Sequence, residues 1–246
     1  MIRSLVCAIA FLTRAPLPAR LAFTTADVGR AMLWFPLVGA LLGALALAER
    51  HLLADRLPPT LIAILLLGTI ALATGALHLD GLADMADGFG GGRTREDVLR
   101  IMRDHVIGAY GACALIFVIG VQVAALAALL AAGDDRIVVL APALGRWGAV
   151  PVGAVVPYAR KDVAAGGAVI DHVGAREVLG ATLTAGALAI GLCGWRGVAL
   201  WAVVGAITAL QARWCVRKIG GVTGDTTGAN IVVCEAAIYV VALALR

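Results

Sequence analysis

Long apolar runs separated by short polar segments dominate the chain, and their lengths set the architecture. Apolar stretches occupy residues 31–48, 58–77, 106–131, 137–156, 178–194, 197–212 and 229–245. A bilayer core of about 30 Å takes roughly 20 apolar residues as a helix, so each stretch is a candidate span, the shorter ones rich in glycine. Residues 2–12 are also apolar but too short to cross alone. Thr13-Arg-Ala-Pro16 follows them instead of a small-residue cleavage site, so they read as a retained interfacial or re-entrant segment and not a signal peptide. The pattern predicts an all-α polytopic membrane helix bundle with about seven transmembrane helices. Residues 1–246 are expected to form a single integral-membrane domain.

Composition agrees and excludes the soluble classes. Apolar residues make up 61% of the chain and charged residues only 15%, against about a quarter charged in an ordinary soluble domain. The five cysteines are scattered singly, with no C-x-x-C pair, so neither a zinc site nor a disulfide framework is indicated. Threading seven spans with the N-terminus in the cytoplasm puts fourteen of the 20 Lys and Arg residues on that side. Five (Arg50, Arg56, Arg136, Arg196 and Arg246) fall on the other, and Arg146 is left inside a span. That asymmetry obeys the positive-inside rule. It predicts an active site on the cytoplasmic face, because the polar chemistry lies in the basic loops.

The densest polar chemistry begins where the second apolar run ends. In His78-Leu-Asp-Gly-Leu-Ala-Asp-Met-Ala-Asp-Gly88, Asp80, Asp84 and Asp87 are spaced by four and three residues, which aligns them on one helix face. Like charges gathered this way repel, and at membrane depth each costs roughly 2.5–3.5 kcal/mol on insertion scales. A positive partner resolves that cost. Hard carboxylate oxygens suit Mg²⁺ or Mn²⁺, which keep some waters and take further ligands from a phosphate; a solvated acidic helix end is the plainer alternative. Glycines crowd the segment (Gly88, Gly90, Gly91, Gly92), and Arg93, Arg95, Arg100 and Arg103 follow. Carboxylates for a metal and guanidiniums for phosphate oxygens together fit a metal-bound diphosphate. Thr94 with Asp97 three residues on resembles a capping box opening a short helix along the membrane surface.

Gly220-Gly-Val-Thr-Gly-Asp-Thr-Thr-Gly228 is the second candidate segment. Thr226 or Thr227 is placed to cap a helix beginning near Ala229, a favourable position for an anion. Asp225 is then a further metal ligand, a general base or only a turn residue. Arg146 and Glu235 stand inside apolar stretches, where a charge is functional or paired: they contact substrate, or they form a structural ion pair. Arg14 is a substrate contact or an interfacial anchor. The four histidines, among them His78 and His105, are too dispersed for a metal motif. Gly39-x-x-x-Gly43 marks helix packing.

Four segments carry a resemblance to a known family. Phe11-Leu-Thr-Arg-Ala-Pro-Leu-Pro18, Leu79-Asp-Gly-Leu-Ala-Asp-Met-Ala-Asp-Gly88, Ile101-Met-Arg-Asp-His-Val-Ile-Gly-Ala-Tyr-Gly111 and Gly221-Val-Thr-Gly-Asp-Thr-Thr-Gly-Ala229 resemble the cobalamin synthase family, the adenosylcobinamide-GDP ribazoletransferases. They occur in the family's order over almost the whole chain. The aspartate motif together with Gly-Asp-Thr-x-Gly-Ala is specific; either alone is less so. The resemblance implies a Mg²⁺-dependent transferase of the bacterial inner membrane. Adenosylcobinamide-GDP reacts with α-ribazole, or its 5′-phosphate, to give adenosylcobalamin, or its phosphate, and GMP. By motif match it carries over Asp80, Asp84, Asp87, Arg103, Asp104 and Asp225. The loop Gly90-Gly-Gly92 before Arg93 departs from it, which lowers the weight on Arg93 and Arg95.

The expected site therefore has Asp80, Asp84 and Asp87 at the metal and Asp80, Asp84 and Asp225 in catalysis. Arg14, Arg103, Asp104, Arg146, Thr226 and Glu235 are expected on the substrate. The lipid bilayer is a partner, no nucleic acid is expected, and a homo-oligomer is compatible with the pattern. Three other functions compete, of which an aspartate-rich prenyltransferase has no use for the Gly-Asp-Thr-Thr-Gly motif. A CDP-alcohol phosphotransferase needs Ala-Arg after its Asp-Gly, whereas Asp80-Gly81 is followed by Ala83-Asp84. A transporter would string Arg146, Glu235 and the aspartates along a path, yet the polar residues gather at one face and no half-to-half symmetry is visible.

Overall fold

The structure, a computed structural model, describes residues 2–16, 21–104, 106–160 and 169–246. Pro18 of the first motif, His105, Arg20 and Lys161 lie outside them. Among the described residues the chain is helical, with one isolated parallel bridge between Tyr158 and Val222. In order come α1 (Ile2–Leu12), α2 (Thr25–Ala31) and α3 (Phe35–Leu53), the last two joined by a 3₁₀ turn at Met32–Trp34. Then follow α4 (Pro59–Thr74), α5 (Leu77–Gly91), α6 (Arg95–Ile101), α7 (Ala109–Ala131), α8 (Arg136–Val155), α9 (Ala175–Ile219) and α10 (Gly224–Ala244).

The 45-residue α9 is a hairpin. Gly194 has φ +56° and ψ −133°, outside the helical region. Gly197 leaves no room for a side chain against the Ala189 carbonyl, and a Cβ on Gly186 would meet the Trp201 ring at 3.1 Å. At 1.5 Å per residue these pairs would be about 12 and 22 Å apart along a straight helix. The chain therefore reverses at Gly194, and arms 175–193 and 195–219 run antiparallel. They supply the expected spans 178–194 and 197–212. With the continuous Thr25–Leu53 segment, α4, α7, α8 and α10, the described residues hold seven apolar helical segments, as the sequence predicts. Arg196 closes the hairpin tip by donating to Asp134 at 2.7 Å and to the Ala242 carbonyl at 2.9 Å.

Helices α3 and α8 pack through the Gly39-x-x-x-Gly43 face. Gly39 abuts the Pro142 carbonyl without room for a Cβ, and a Cβ on Gly43 would lie 2.6 Å from the Val138 oxygen. Without a hydrophobic drive between helices in lipid, such close backbone approach supplies the packing energy. Gly39→Val should therefore cost about 1–3 kcal/mol of overpacking. It is expected to lower the thermal midpoint in detergent, while Gly68→Val, at a glycine facing open space, leaves it unchanged.

One feature of the backbone decides where the aspartates go. The apolar run 58–77 does not continue as one helix to its end. Gly75 (φ +63°) and Ala76 (φ +58°) are both left-handed, and the axis turns by 90° between α4 and α5. A non-glycine residue in that region is uncommon and is held there by its surroundings. Arg14 provides part of the hold: its N–H donates to the Ala73 carbonyl at 2.7 Å, and its side chain covers Gly75. The bend lays α5 across the end of the bundle, against the starts of α7 and α10, instead of letting it run out into solvent.

Candidate active site

Helix α10 begins at Gly224, five residues before the expected start near Ala229. Thr223 is the N-cap: its Oγ1 accepts from the Thr226 N–H at 3.2 Å, and Thr226 Oγ1 accepts from the Thr223 N–H at 2.9 Å. This is a capping box with threonine where glutamate or glutamine is usual, which is why the familiar sequence signature did not locate it. Thr226 is thereby buried and committed to the cap, and Gln211 donates to its carbonyl at 2.6 Å. Asp225 falls on the first turn, where the helix dipole favours a carboxylate.

Helix α5 meets that first turn at Gly81. A Cβ there would lie 2.7 Å from the Asp225 carbonyl oxygen and 3.0 Å from its Cα. The contact sets Asp80 and Asp84 beside Asp225, across 141 residues of sequence from Asp84 to Asp225. Asp80 is exposed and Asp84 half-buried. Burial pushes the Asp84 carboxyl up to about 6, the charges of Asp225 and Asp80 push the same way, and Arg160 opposes them. Like-charged groups pressed together and short of counter-charge are the electrostatic mark of a functional site.

Arg160 is the residue the sequence did not single out. It donates to Asp225 Oδ2 at 2.6 Å and reaches the Met102 carbonyl at 3.4 Å. Its segment is pinned by hydrogen bonds from the Ala159 N–H to the Val222 carbonyl (2.8 Å) and from the Val222 N–H to the Pro157 carbonyl (2.9 Å). Arg95 locks the same junction, donating to the carbonyls of Ile219 and Ala159, both at 2.7 Å. The only sequence signal for Arg160 was a basic pair in a polar loop. The segments that carry Asp84, Arg160 and Asp225 thus meet at one place.

The three aspartates of α5 do not act alike. Asp87 is buried and turned to the start of α7, accepting from the Gly108 N–H at 2.7 Å and the Gly111 N–H at 2.8 Å. Neither glycine leaves room for a Cβ beside that carboxylate. Asp87 satisfies amides that the helix start leaves without a partner and fastens α5 to α7. Asp80 and Asp84 face Asp225.

The remaining predicted residues divide by depth. Arg103 and Asp104 are exposed on the turn after α6, next to the Met102 carbonyl that Arg160 reaches. Asp104 accepts from the Val106 N–H at 3.3 Å. Arg14 stands behind the α4–α5 bend, not among the carboxylates. Arg146 and Glu235 form a buried ion pair within the bundle, and Arg146 Nη2 lies 3.3 Å from His78 Nδ1. All three line a cavity of about 700 Å³ bordered by α4 and α7, and His78 also lines a separate cavity beside Asp80.

Among the described residues no group of three or more His, Cys, Asp or Glu side chains is gathered closely enough to hold a metal ion by itself. The donor set still fits Mg²⁺, which is held by one or two carboxylates with waters and substrate phosphates completing its shell. Asp80, Asp84 and Asp225 are hard oxygen donors of the right type.

The family described as cobalamin-5-phosphate synthase matches residues 4–243. The chain belongs to that family. A protein of Pseudomonas aeruginosa (strain UCBPP-PA14) named adenosylcobinamide-GDP ribazoletransferase is 42% identical over 248 residues, covering 99% of this chain and 98% of its own. Proteins of the same name from Syntrophobacter fumaroxidans and Acetivibrio thermocellus are 36% and 32% identical, covering 90% and 95% of this chain and 90% and 93% of theirs. No solved structure matches. The family match runs from α1 to the end of α10, so every element that builds the carboxylate junction lies within it.

Proposed function

We propose that the chain is a Mg²⁺-dependent transferase that moves the adenosylcobinamide-phosphate group from adenosylcobinamide-GDP to α-ribazole or its 5′-phosphate, releasing GMP. The observation that carries this reading is the meeting of Asp80 and Asp84 with Asp225 at the Gly81 contact, backed by the names of the relatives. The positive charge of the loops at that end of the bundle supports a cytoplasmic face, where nucleotides are, for a protein of the bacterial inner membrane.

Asp80, Asp84 and Asp225 are the groups that hold the cation. Mg²⁺ bound there supplies neutralisation of the diphosphate oxygens and of the charge that develops on departing GMP. Arg160 is the nearest guanidinium, able to exchange Asp225 for a phosphate oxygen, and Arg103 stands at the same mouth. A sugar hydroxyl of the acceptor attacks the phosphorus that bears the cobinamide, the bond from that phosphorus to the GMP oxygen breaks, and the hydroxyl proton passes to a carboxylate. Asp87 keeps α5 in place from behind.

The test is direct. Detergent-purified protein given adenosylcobinamide-GDP, α-ribazole and Mg²⁺ should release GMP in step with adenosylcobalamin, and EDTA should stop both. GMP released at the same rate without α-ribazole would mean hydrolysis and would overturn the assignment as a transferase.

A further inference from the structure

Beside the carboxylates lies a cavity of about 310 Å³ that the phosphate chemistry leaves unused. Its floor and walls are apolar and come from distant parts of the chain: Phe11 and Leu12 of α1, Met32 and Phe35 around the 3₁₀ turn, Ile170, and Ile231 of α10. Its polar side chains are Asp80, Thr223, Asp225 and Thr227 at the carboxylate junction, with His78 and Tyr158. A small apolar chamber with a few convergent polar groups is the usual form of a small-molecule site, at the lower end of the ~300–1,000 Å³ range.

The geometry points to this chamber as the seat of the acceptor's base, an inference that rests on the reaction proposed above. The occupant is a nucleoside with a flat, methylated, benzimidazole-type ring. Two ligands meet at the carboxylate junction, and the chamber discriminates between their parts. The corrin ring of the donor is far too large for it. The guanine of the donor has an amide and amino edge that would lose its hydrogen bonds wherever it met Phe11, Met32, Phe35 and Ile231. A methylated benzimidazole has no such edge and gains by burial. Its sugar then falls beside Asp80 and Asp225, to which the hydroxyls can donate. The same carboxylates that hold the cation thus receive the attacking oxygen from the chamber side. The diphosphate approaches from the Arg160 and Arg103 side.

Equilibrium binding of α-ribazole, followed by its own fluorescence with no donor present, tests the assignment apart from turnover. Ile231→Trp, which fills the chamber from α10, is expected to raise the Kd for α-ribazole at least tenfold while the Kd for adenosylcobinamide-GDP stays within twofold. Met32→Ala, which enlarges it from another element and removes only side-chain volume, should admit a riboside whose base is one ring larger and which the parent protein rejects. Should Ile231→Trp fail to fold, Met32→Ala decides alone. Unchanged α-ribazole affinity and unchanged base-size limits overturn the proposal, and weakened donor binding with α-ribazole unaffected assigns the chamber to guanine instead. A parent protein that binds α-ribazole in this way but releases no GMP would refute the transfer reaction and leave the chamber assignment standing.

Discussion

Asp84→Asn should lower GMP release by at least a hundredfold and, at the same time, raise the thermal midpoint. The two halves of this result have one cause. Asp84 is half-buried, pressed by the charges of Asp225 and Asp80, and its carboxyl is pushed up to about 6. Keeping it ionised at neutral pH opposes folding, because a raised acid pKa means the charged form is disfavoured in the folded state. Asparagine has the same shape without the charge, so the substitution relieves repulsion. On the proposed mechanism it also removes a donor to the cation, and about 3 kcal/mol of lost transition-state stabilisation is about a hundredfold in rate. Stability gained where activity is lost is the signature of a residue kept for chemistry. A fall in both quantities would mean that Asp84 is structural. The measurements are steady-state GMP release and a thermal melt in the same detergent.

The largest stability effect belongs to the other charged group in the bundle. Glu235→Leu strands the Arg146 guanidinium, which is 1% exposed and whose Nη1 pairs with Glu235. Removing one partner of a buried pair costs about 3–5 kcal/mol, because the remaining charge is left uncompensated. The single variant is expected to extract poorly and aggregate early. The double variant Arg146→Met with Glu235→Leu removes both charges and should recover most of the loss, since well-packed apolar replacements of a buried pair are often neutral. Recovery of the fold with recovery of turnover identifies a structural pair; recovery of the fold alone keeps Arg146 and Glu235 as substrate contacts. Thermal midpoints of the two variants, read beside GMP release, separate these outcomes.

These expectations depend on features of unequal visibility in the sequence. The seven apolar helical segments of the described residues were readable because membrane thickness fixes their length, and even the reversal inside α9 was marked by two runs meeting around Gly194. Gly39 and Gly43 packed as their spacing predicts. The cap at Thr94 also formed, accepting from the Asp97 N–H at 3.1 Å. What could not be read was set by contacts distant in sequence. Nothing local to Ala76 predicts a left-handed residue; the covering of Gly75 by Arg14 and the packing of α5 hold it there. Spacing put Asp80, Asp84 and Asp87 on one face, but could not say that Asp87 would meet the amides of Gly108 and Gly111 and so differ from its neighbours. Arg160 was hidden for the same reason, since its partner Asp225 is 65 residues away and the bridge at Tyr158 and Val222 brings them together.

The central claim is that Asp84 and Asp225, from opposite halves of the chain, hold one divalent cation together with the diphosphate of the donor. Mn²⁺ titrated into the purified protein and followed by electron paramagnetic resonance, with and without adenosylcobinamide-GDP, tests it without reference to turnover. The donor is predicted to tighten Mn²⁺ binding at least tenfold, and Asp84→Asn and Asp225→Asn should each abolish that tightening. Mn²⁺ binding that ignores the donor and survives both substitutions would contradict the account.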